Sequence, residues 1–178
     1  PVNDVKQERN NTFLAGHIIR QRRSAVAMDG VTSITKIQFY EMLSRVIPVV
    51  GSMLWDSIAQ RPFIHLGLFV HRVVGLIPGL YALVRDPEKQ SLLQTSMHAE
   101  FQWETPPECP QSLPLFLLEE KEVQNLAASV SCGQDIAGAG AFSCGMLAEF
   151  EEPIRHFGAH WYRRLFWETG MIGQVLYL

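Results

Sequence analysis

Trp161-Tyr-Arg-Arg-Leu-Phe-Trp-Glu-Thr-Gly-Met-Ile-Gly-Gln-Val-Leu-Tyr-Leu178 is the most apolar long run of the chain, and its reading decides what the other elements must pack against. Drawn as a helix, it carries apolar side chains on nearly every face from Leu165 onward, the pattern of a helix buried on all sides. Gly170 and Gly173 would let a second backbone come close. Arg163, Arg164, Glu168 and Gln174 interrupt the run, whereas a membrane span needs about 18 nearly uncharged residues. The expectation is therefore the central helix of a soluble core. No capping Gly, Pro or polar turn follows Leu178, and the first residue is Pro1 rather than Met. The chain accordingly reads as a fragment whose remaining core elements lie beyond position 178.

Working outward, the best strand of the chain is Pro62-Phe-Ile-His-Leu-Gly-Leu-Phe-Val-His71, which is β-rich and apolar on both parities, as in a strand buried on both faces. Pro78-Gly79 is a turn signal, after which Leu80 to Val84 can return as the second strand of a hairpin. Phe142 to Phe150 reads as a strand or as a continuation of helix, with strand preferred, and Leu115 to Leu118 is a short apolar run. Helical periodicity places helices from Thr12 to a basic last turn at Arg20 to Ser24, from Ser33 or Thr35 to Pro48 with Ile37, Tyr40, Met42, Leu43 and Val46 on one side, and across Glu119 to Ser131. Asp86-Pro87 starts a further helix to about Met97, and Pro153 opens a short one to Phe157. Gly51 to Gln60 and the proline-rich 101–114 stretch read as loops, and residues 1–11 as a polar, frayed lead-in to one domain over 12–178. Strands and helices mix without clean βαβ alternation. The expected class is α+β, an antiparallel-rich mixed sheet packed against helices and incomplete at the C-terminus.

A length of 178 residues with 47% hydrophobic content suits one domain with a sizeable core. A net charge of -3 gives no electrostatic reason to expect nucleic acid or an anionic membrane surface, so the expected partners are proteins and small molecules. Cys109, Cys132 and Cys144 have no C-x-x-C spacing and leave one thiol over, which fits free thiols in a reducing cytoplasm better than a disulfide framework or a zinc knuckle. No metal site is expected.

Chemistry first suggests itself at Arg22-Arg23-Ser24. Two guanidinium forks and a hydroxyl at the exit of a helix match the oxygens of a phosphate, although a solvated basic last turn explains the same residues. The wider stretch Ile18-Ile-Arg-Gln-Arg-Arg-Ser-Ala-Val-Ala-Met-Asp-Gly30 resembles the opening of the nitroreductase-like FMN flavoprotein family. Gly75-Leu-Ile-Pro-Gly-Leu-Tyr-Ala82 is similar to a hairpin of the branch that holds thiazoline and oxazoline dehydrogenases, and the terminal helix resembles that family's long core helix.

The resemblance covers about residues 12 to 178 and implies a nitroreductase-like fold with FMN at a dimer interface. It also implies two-electron transfer, with NAD(P)H or an oxidisable small molecule or peptide as donor. Arg22, Arg23 and Ser24 would hold the ribityl phosphate. The second flavin segment, usually donated by the partner subunit, falls on residues 55–62, with Ser57 and Pro62 matching and Arg61 placed at the flavin. Ala59 stands where many members have Asn, Arg61 where many have Gln, and Val26 where a basic residue often follows. A homodimer or a tandem pseudo-dimer is expected.

Two rival readings follow from the residues. Ala59, Arg61 and Val26 suit a non-catalytic half that keeps only the fold. Ala141-Phe-Ser-Cys-Gly145 is near a nucleophile elbow and would make Ser143 the nucleophile of a serine hydrolase, given a strand before it and a helix after. His156 and His160 have a metal-ligand spacing with Gly158 between them and no third ligand.

Overall fold

The structure, a computed structural model, describes residues 15–49, 51–56 and 61–177. Along them run α1 (Ala15–Gln21), β1 (Ile34–Thr35), α2 (Lys36–Arg45), α3 (Met53–Asp56), β2 (Ile64–Val70), β3 (Val73–Val74), β4 (Gly79–Leu83), a 3-10 turn (Pro87–Lys89) leading into α4 (Gln90–Ser96), β5 (Leu115–Glu120), α5 (Gln124–Val130), α6 (Ile136–Ala139), β6 (Phe142–Ala148), α7 (Glu151–Phe157) and α8 (Trp161–Tyr177). Four strands form an antiparallel sheet in the order β5-β4-β2-β6, while β1 and β3 make a small parallel pair. The architecture is α+β, as the mixture of periods indicates. The expected residues 12–14 of α1 lie outside the described residues.

β2 is central, paired with β4 on one edge and β6 on the other. Ile64, Leu66, Leu68 and Val70 point into one buried cluster with Phe39 and Leu43 of α2 and Leu165 and Ile172 of α8. β4 returns against β2 in the register Leu66↔Leu83 to Val70↔Gly79. Gly79 proves to be the first strand residue, and its lack of a side chain serves packing: a Cβ there would sit 2.3 Å from the Glu119 carbonyl oxygen on β5. β6 pairs with β2 along its whole length, from Ile64↔Ala148 to Val70↔Phe142.

α2 begins where its sequence provides a cap. The Gln38 N–H donates to Thr35 Oγ1 at 3.3 Å and the Thr35 N–H to Gln38 Oε1 at 2.9 Å, a reciprocal capping box. Starting at Lys36 turns Phe39, Tyr40, Leu43 and Val46 inward and leaves Ile37 exposed, so Phe39 takes the core position expected of Ile37. Two boundaries also move. The region expected to be a loop at Gly51 to Gln60 contains the short α3. Glu119 and Glu120, expected in a helix, extend β5 instead because they pair with Leu80 and Gly79, and helix resumes only at Gln124.

The largest correction concerns α8. It is buried on one stripe, Leu165, Glu168 and Ile172, spaced three and four residues apart. Its opposite face exposes Tyr162, Phe166 at 59% and Trp167 at 55%. One sheet face can cover only one side of a helix, so the remaining apolar surface has no cover within the described residues.

Glu168 is the polar centre of this packing. It accepts the Phe63 N–H at 3.0 Å and the Ile64 N–H at 3.3 Å, and pairs with the Arg85 guanidinium. Arg85 also donates through Nε to the Val46 carbonyl at 2.7 Å and through Nη1 to the Ile64 carbonyl at 2.9 Å. One buried ion pair thus ties α8, the start of β2, the end of β4 and the exit of α2 together. Both of its charges find hydrogen-bond partners, which a charge removed from water requires.

Candidate functional site

The Arg22-Arg23-Ser24 turn forms because α1 ends just before it. The Arg22 N–H still donates to the Ile18 carbonyl at 2.9 Å, and Arg23 Nη1 then folds back onto the carbonyls of Arg20 at 3.0 Å and Arg22 at 2.8 Å, supplying cationic donors to a helix end that lacks them. The C-terminal tip of α8 supports it. Tyr177 donates its hydroxyl to the Arg23 carbonyl at 2.9 Å, and the Arg22 guanidinium lies over the Tyr177 ring, 5.1 Å from its centroid.

Arg20, Arg22, Arg23 and Ser24 are all exposed, and among the described residues no carboxylate forms an ion pair with these arginines. The nearest acid along the chain, Asp29, is committed to its own turn. Hydrogen bonds from the Thr32 side chain and from the backbone of Thr32 and Val31 lower its pKa to about 2. Among the described residues the turn is therefore a small surface of positive charge that no carboxylate compensates, with a hydroxyl beside it, chemically suited to a phosphate.

Arg61 lies elsewhere. It pairs with Asp86 through Nε and with Glu88 through Nη2 at 2.8 Å, and these carboxylates raise its already high pKa. It lines a cleft of about 760 Å3 together with Trp55, Asp56, Arg85, Asp86 and Glu88. Ser57 lies outside the described residues. The cleft adjoins the Arg85–Glu168 pair, and Tyr177 is nine residues further along α8, about 13 Å at the rise of a helix. Within one chain the structure does not bring Arg61 against the Arg22-Arg23-Ser24 turn.

Beside the cleft is a second buried polar chain. His65 accepts the Arg85 N–H on Nδ1 at 3.2 Å, which leaves the proton on Nε2, 3.4 Å from Glu149 Oε1; Glu149 Oε2 in turn meets Lys89 Nζ at 2.7 Å. Burial pulls the His65 pKa down, against the opposing pull of Glu149. His65 is thus a hydrogen-bonded core residue. Sequence reading missed the role of Arg85 and Glu168. The available signal was Glu168 sitting at the buried spacing between Leu165 and Ile172, since a carboxylate in such a stripe needs a partner.

Two rival sites do not assemble. Ser143 lies inside β6 and is followed by further strand residues, so the strand-turn-helix that exposes an elbow nucleophile is absent there, and its hydroxyl is buried without a partner. His156 lies in the last turn of α7, which ends at Phe157, Gly158 takes φ 89°, and α8 starts only at Trp161, so His156 and His160 do not share a helix face. Among the described residues no group of three or more His, Cys, Asp or Glu side chains could hold a metal ion.

No protein-family profile matches the chain, and no curated protein matches it. Its fold is similar to that in the crystal structure of "a putative nitroreductase" from Anabaena variabilis, with a TM-score of 0.61 and 18% identity. The match covers 90% of this chain and 28% of that one. At such identity the likeness is one of fold: the chain has a nitroreductase-like fold and spans 28% of the length of that protein.

Proposed function

We propose that the chain belongs to an FMN-dependent oxidoreductase of nitroreductase type, in which Arg22, Arg23 and Ser24 hold the flavin phosphate. The observation that carries this reading is the exposed Arg-Arg-Ser turn, uncompensated by any described carboxylate and braced by Tyr177 of the core helix. The likeness of fold supports it. A phosphate would receive charge-assisted bonds from two guanidinium forks and the Ser24 hydroxyl, the strongest hydrogen bonds available to a protein surface. Bound flavin would supply two-electron transfer between NAD(P)H or an oxidisable small molecule or peptide and an acceptor. The chain's own part is to fix the phosphate and to pack the elements beneath it.

In this proposal Arg61 and Ser57 serve a flavin held mainly by a second half, either another copy or a tandem repeat. The uncovered aromatic face of α8 supports such a half. Phe150, Tyr162 and Phe166 form an edge-to-face ladder there, with ring centroids 5.7 and 4.9 Å apart, and Trp167 lies close along the helix. Three free thiols suit the cytoplasm, and no described helix is long and apolar enough to cross a membrane.

A second reading, a non-catalytic half that keeps the fold, is favoured by one observation: the Arg61 fork is already occupied by Asp86 and Glu88. Flavin titration separates the two. Binding of FMN that weakens in Arg22→Ala and Ser24→Ala supports the oxidoreductase. Failure to bind FMN, with NAD(P)H oxidation also absent, supports the non-catalytic half.

A further inference from the structure

We propose that Tyr177 is a positioning residue: it holds the Arg22-Arg23-Ser24 turn in a phosphate-ready form before any ligand arrives, and so makes the anion affinity of the turn depend on the seating of α8. The identity of the phosphomonoester rests on the flavin reading above. The role of Tyr177 itself rests on geometry.

The turn has little else to hold it. Residues 19–29 are all exposed, and α1 is only seven residues long, too short to be stable by itself in water. The other hydrogen bonds of the turn are local, from the Arg22 N–H to the Ile18 carbonyl and from Arg23 Nη1 to the carbonyls of Arg20 and Arg22. Among the described residues, the 2.9 Å bond from the Tyr177 hydroxyl to the Arg23 carbonyl is the only hydrogen bond that ties residues 20–24 to a distant part of the chain. Tyr177 can serve as that tie because α8 is anchored nine residues earlier, where Glu168 pairs with buried Arg85.

The chemistry of the contact leaves the turn free to bind. The Arg22 guanidinium lies over the Tyr177 ring, 5.1 Å from its centroid, and the face of a ring attracts a cation while leaving its charge uncancelled and its donors available. A carboxylate in the place of Tyr177 would hold Arg22 as well, but would take up those donors and cancel the charge. The hydroxyl meanwhile fixes the peptide that leads into Ser24. Ring and hydroxyl together place a guanidinium fork and a serine hydroxyl without consuming either, so a phosphate has less ordering left to impose.

The test uses the full chain with Tyr177→Phe, which keeps the ring and loses the hydroxyl bond, and Tyr177→Leu, which loses both. Without ligand, trypsin cleavage after Arg22 and Arg23, followed by mass spectrometry, should be about threefold faster in Tyr177→Phe and about tenfold faster in Tyr177→Leu. Tyr177 is exposed, so Tm and cleavage elsewhere should stay unchanged. Inorganic phosphate should slow cleavage at the turn in the native chain, and Tyr177→Leu should need about tenfold more of it. In fluorescence titrations Tyr177→Leu should weaken FMN about tenfold and leave riboflavin, which has no phosphate, unchanged, a split that a merely structural role would not produce. Equal cleavage of the native chain and Tyr177→Leu, or equal weakening of FMN and riboflavin, would overturn the assignment. Failure of the native chain to bind FMN counts against the flavin reading instead, and the cleavage rates with and without phosphate still decide the role of Tyr177.

Discussion

Replacing Glu168 by Gln keeps the shape of the side chain and removes only its charge and one acceptor. In the native protein Glu168 Oε2 accepts the Phe63 N–H, while Oε1 accepts the Ile64 N–H and faces Arg85. Gln has a single oxygen. Placed toward Arg85 and Ile64, it turns its own NH2 against the Phe63 N–H and leaves that donor unpaired, at about 1–3 kcal/mol. Arg85 meanwhile loses its counter-charge in a buried position, which costs about 3–5 kcal/mol when the partner is removed outright. Because the amide oxygen and the Val46 and Ile64 carbonyls still solvate the guanidinium, the low end applies, and the whole change is about 4 kcal/mol. That is a large share of a domain's total of about 5–15 kcal/mol. For a chain of this length it corresponds to a Tm lower by about 8–16 °C. Urea unfolding of both proteins, followed by far-UV circular dichroism, measures it. A loss below about 1 kcal/mol, the value of a surface pair, would refute the assignment of this pair as the tie between α8 and the sheet.

Thr35→Ala removes the reciprocal cap of α2 and should cost about 1 kcal/mol, read as a lower urea midpoint with an unchanged slope. With an alkylating probe at pH 8, exposed Cys132 should react first, whereas Cys109 and Cys144, pushed by burial to about 11 and about 12, should react only on unfolding; early labelling of Cys144 would contradict its placement inside the sheet. Burial holds His65 and His71 below their ordinary 6.5 in the folded chain. The unfolded chain then takes up protons first as pH falls, so their contribution should leave stability level above about pH 7 and lower it progressively below about 6.5, and His65→Gln should flatten part of that slope.

Much of the fold was legible because local chemistry and tertiary packing agree. The double-sided apolar run at Ile64 to Val70, the Asp86-Pro87 helix start and the Thr35 cap each specify one structure whatever surrounds them. Reading failed where a long-range contact decided. Glu119 and Glu120 have good helix propensity, but β4 offers them a ladder. α8 looked apolar on nearly every face from Leu165 onward, yet it is buried only along Leu165, Glu168 and Ile172, and hydrophobicity does not say from which side cover comes. At the candidate site, the Arg-Arg-Ser turn is a contiguous motif and could be read directly. The cleft is built from Pro48, Val49, Trp55, Asp56, Arg61 and Pro62 on one side and residues 85–88 on the other, which the β2–β4 pairing brings together, so no spacing in the chain announced it.

The flavin assignment is tested most directly by titrating FMN into the purified chain while following the quenching of flavin fluorescence, alongside the Arg22→Ala, Arg23→Ala double variant. Saturable quenching by the native protein, weakened in the variant at unchanged Tm, is the result expected of a phosphate held at the exposed turn. Quenching that is absent, or equal in the native protein and the variant, would contradict it.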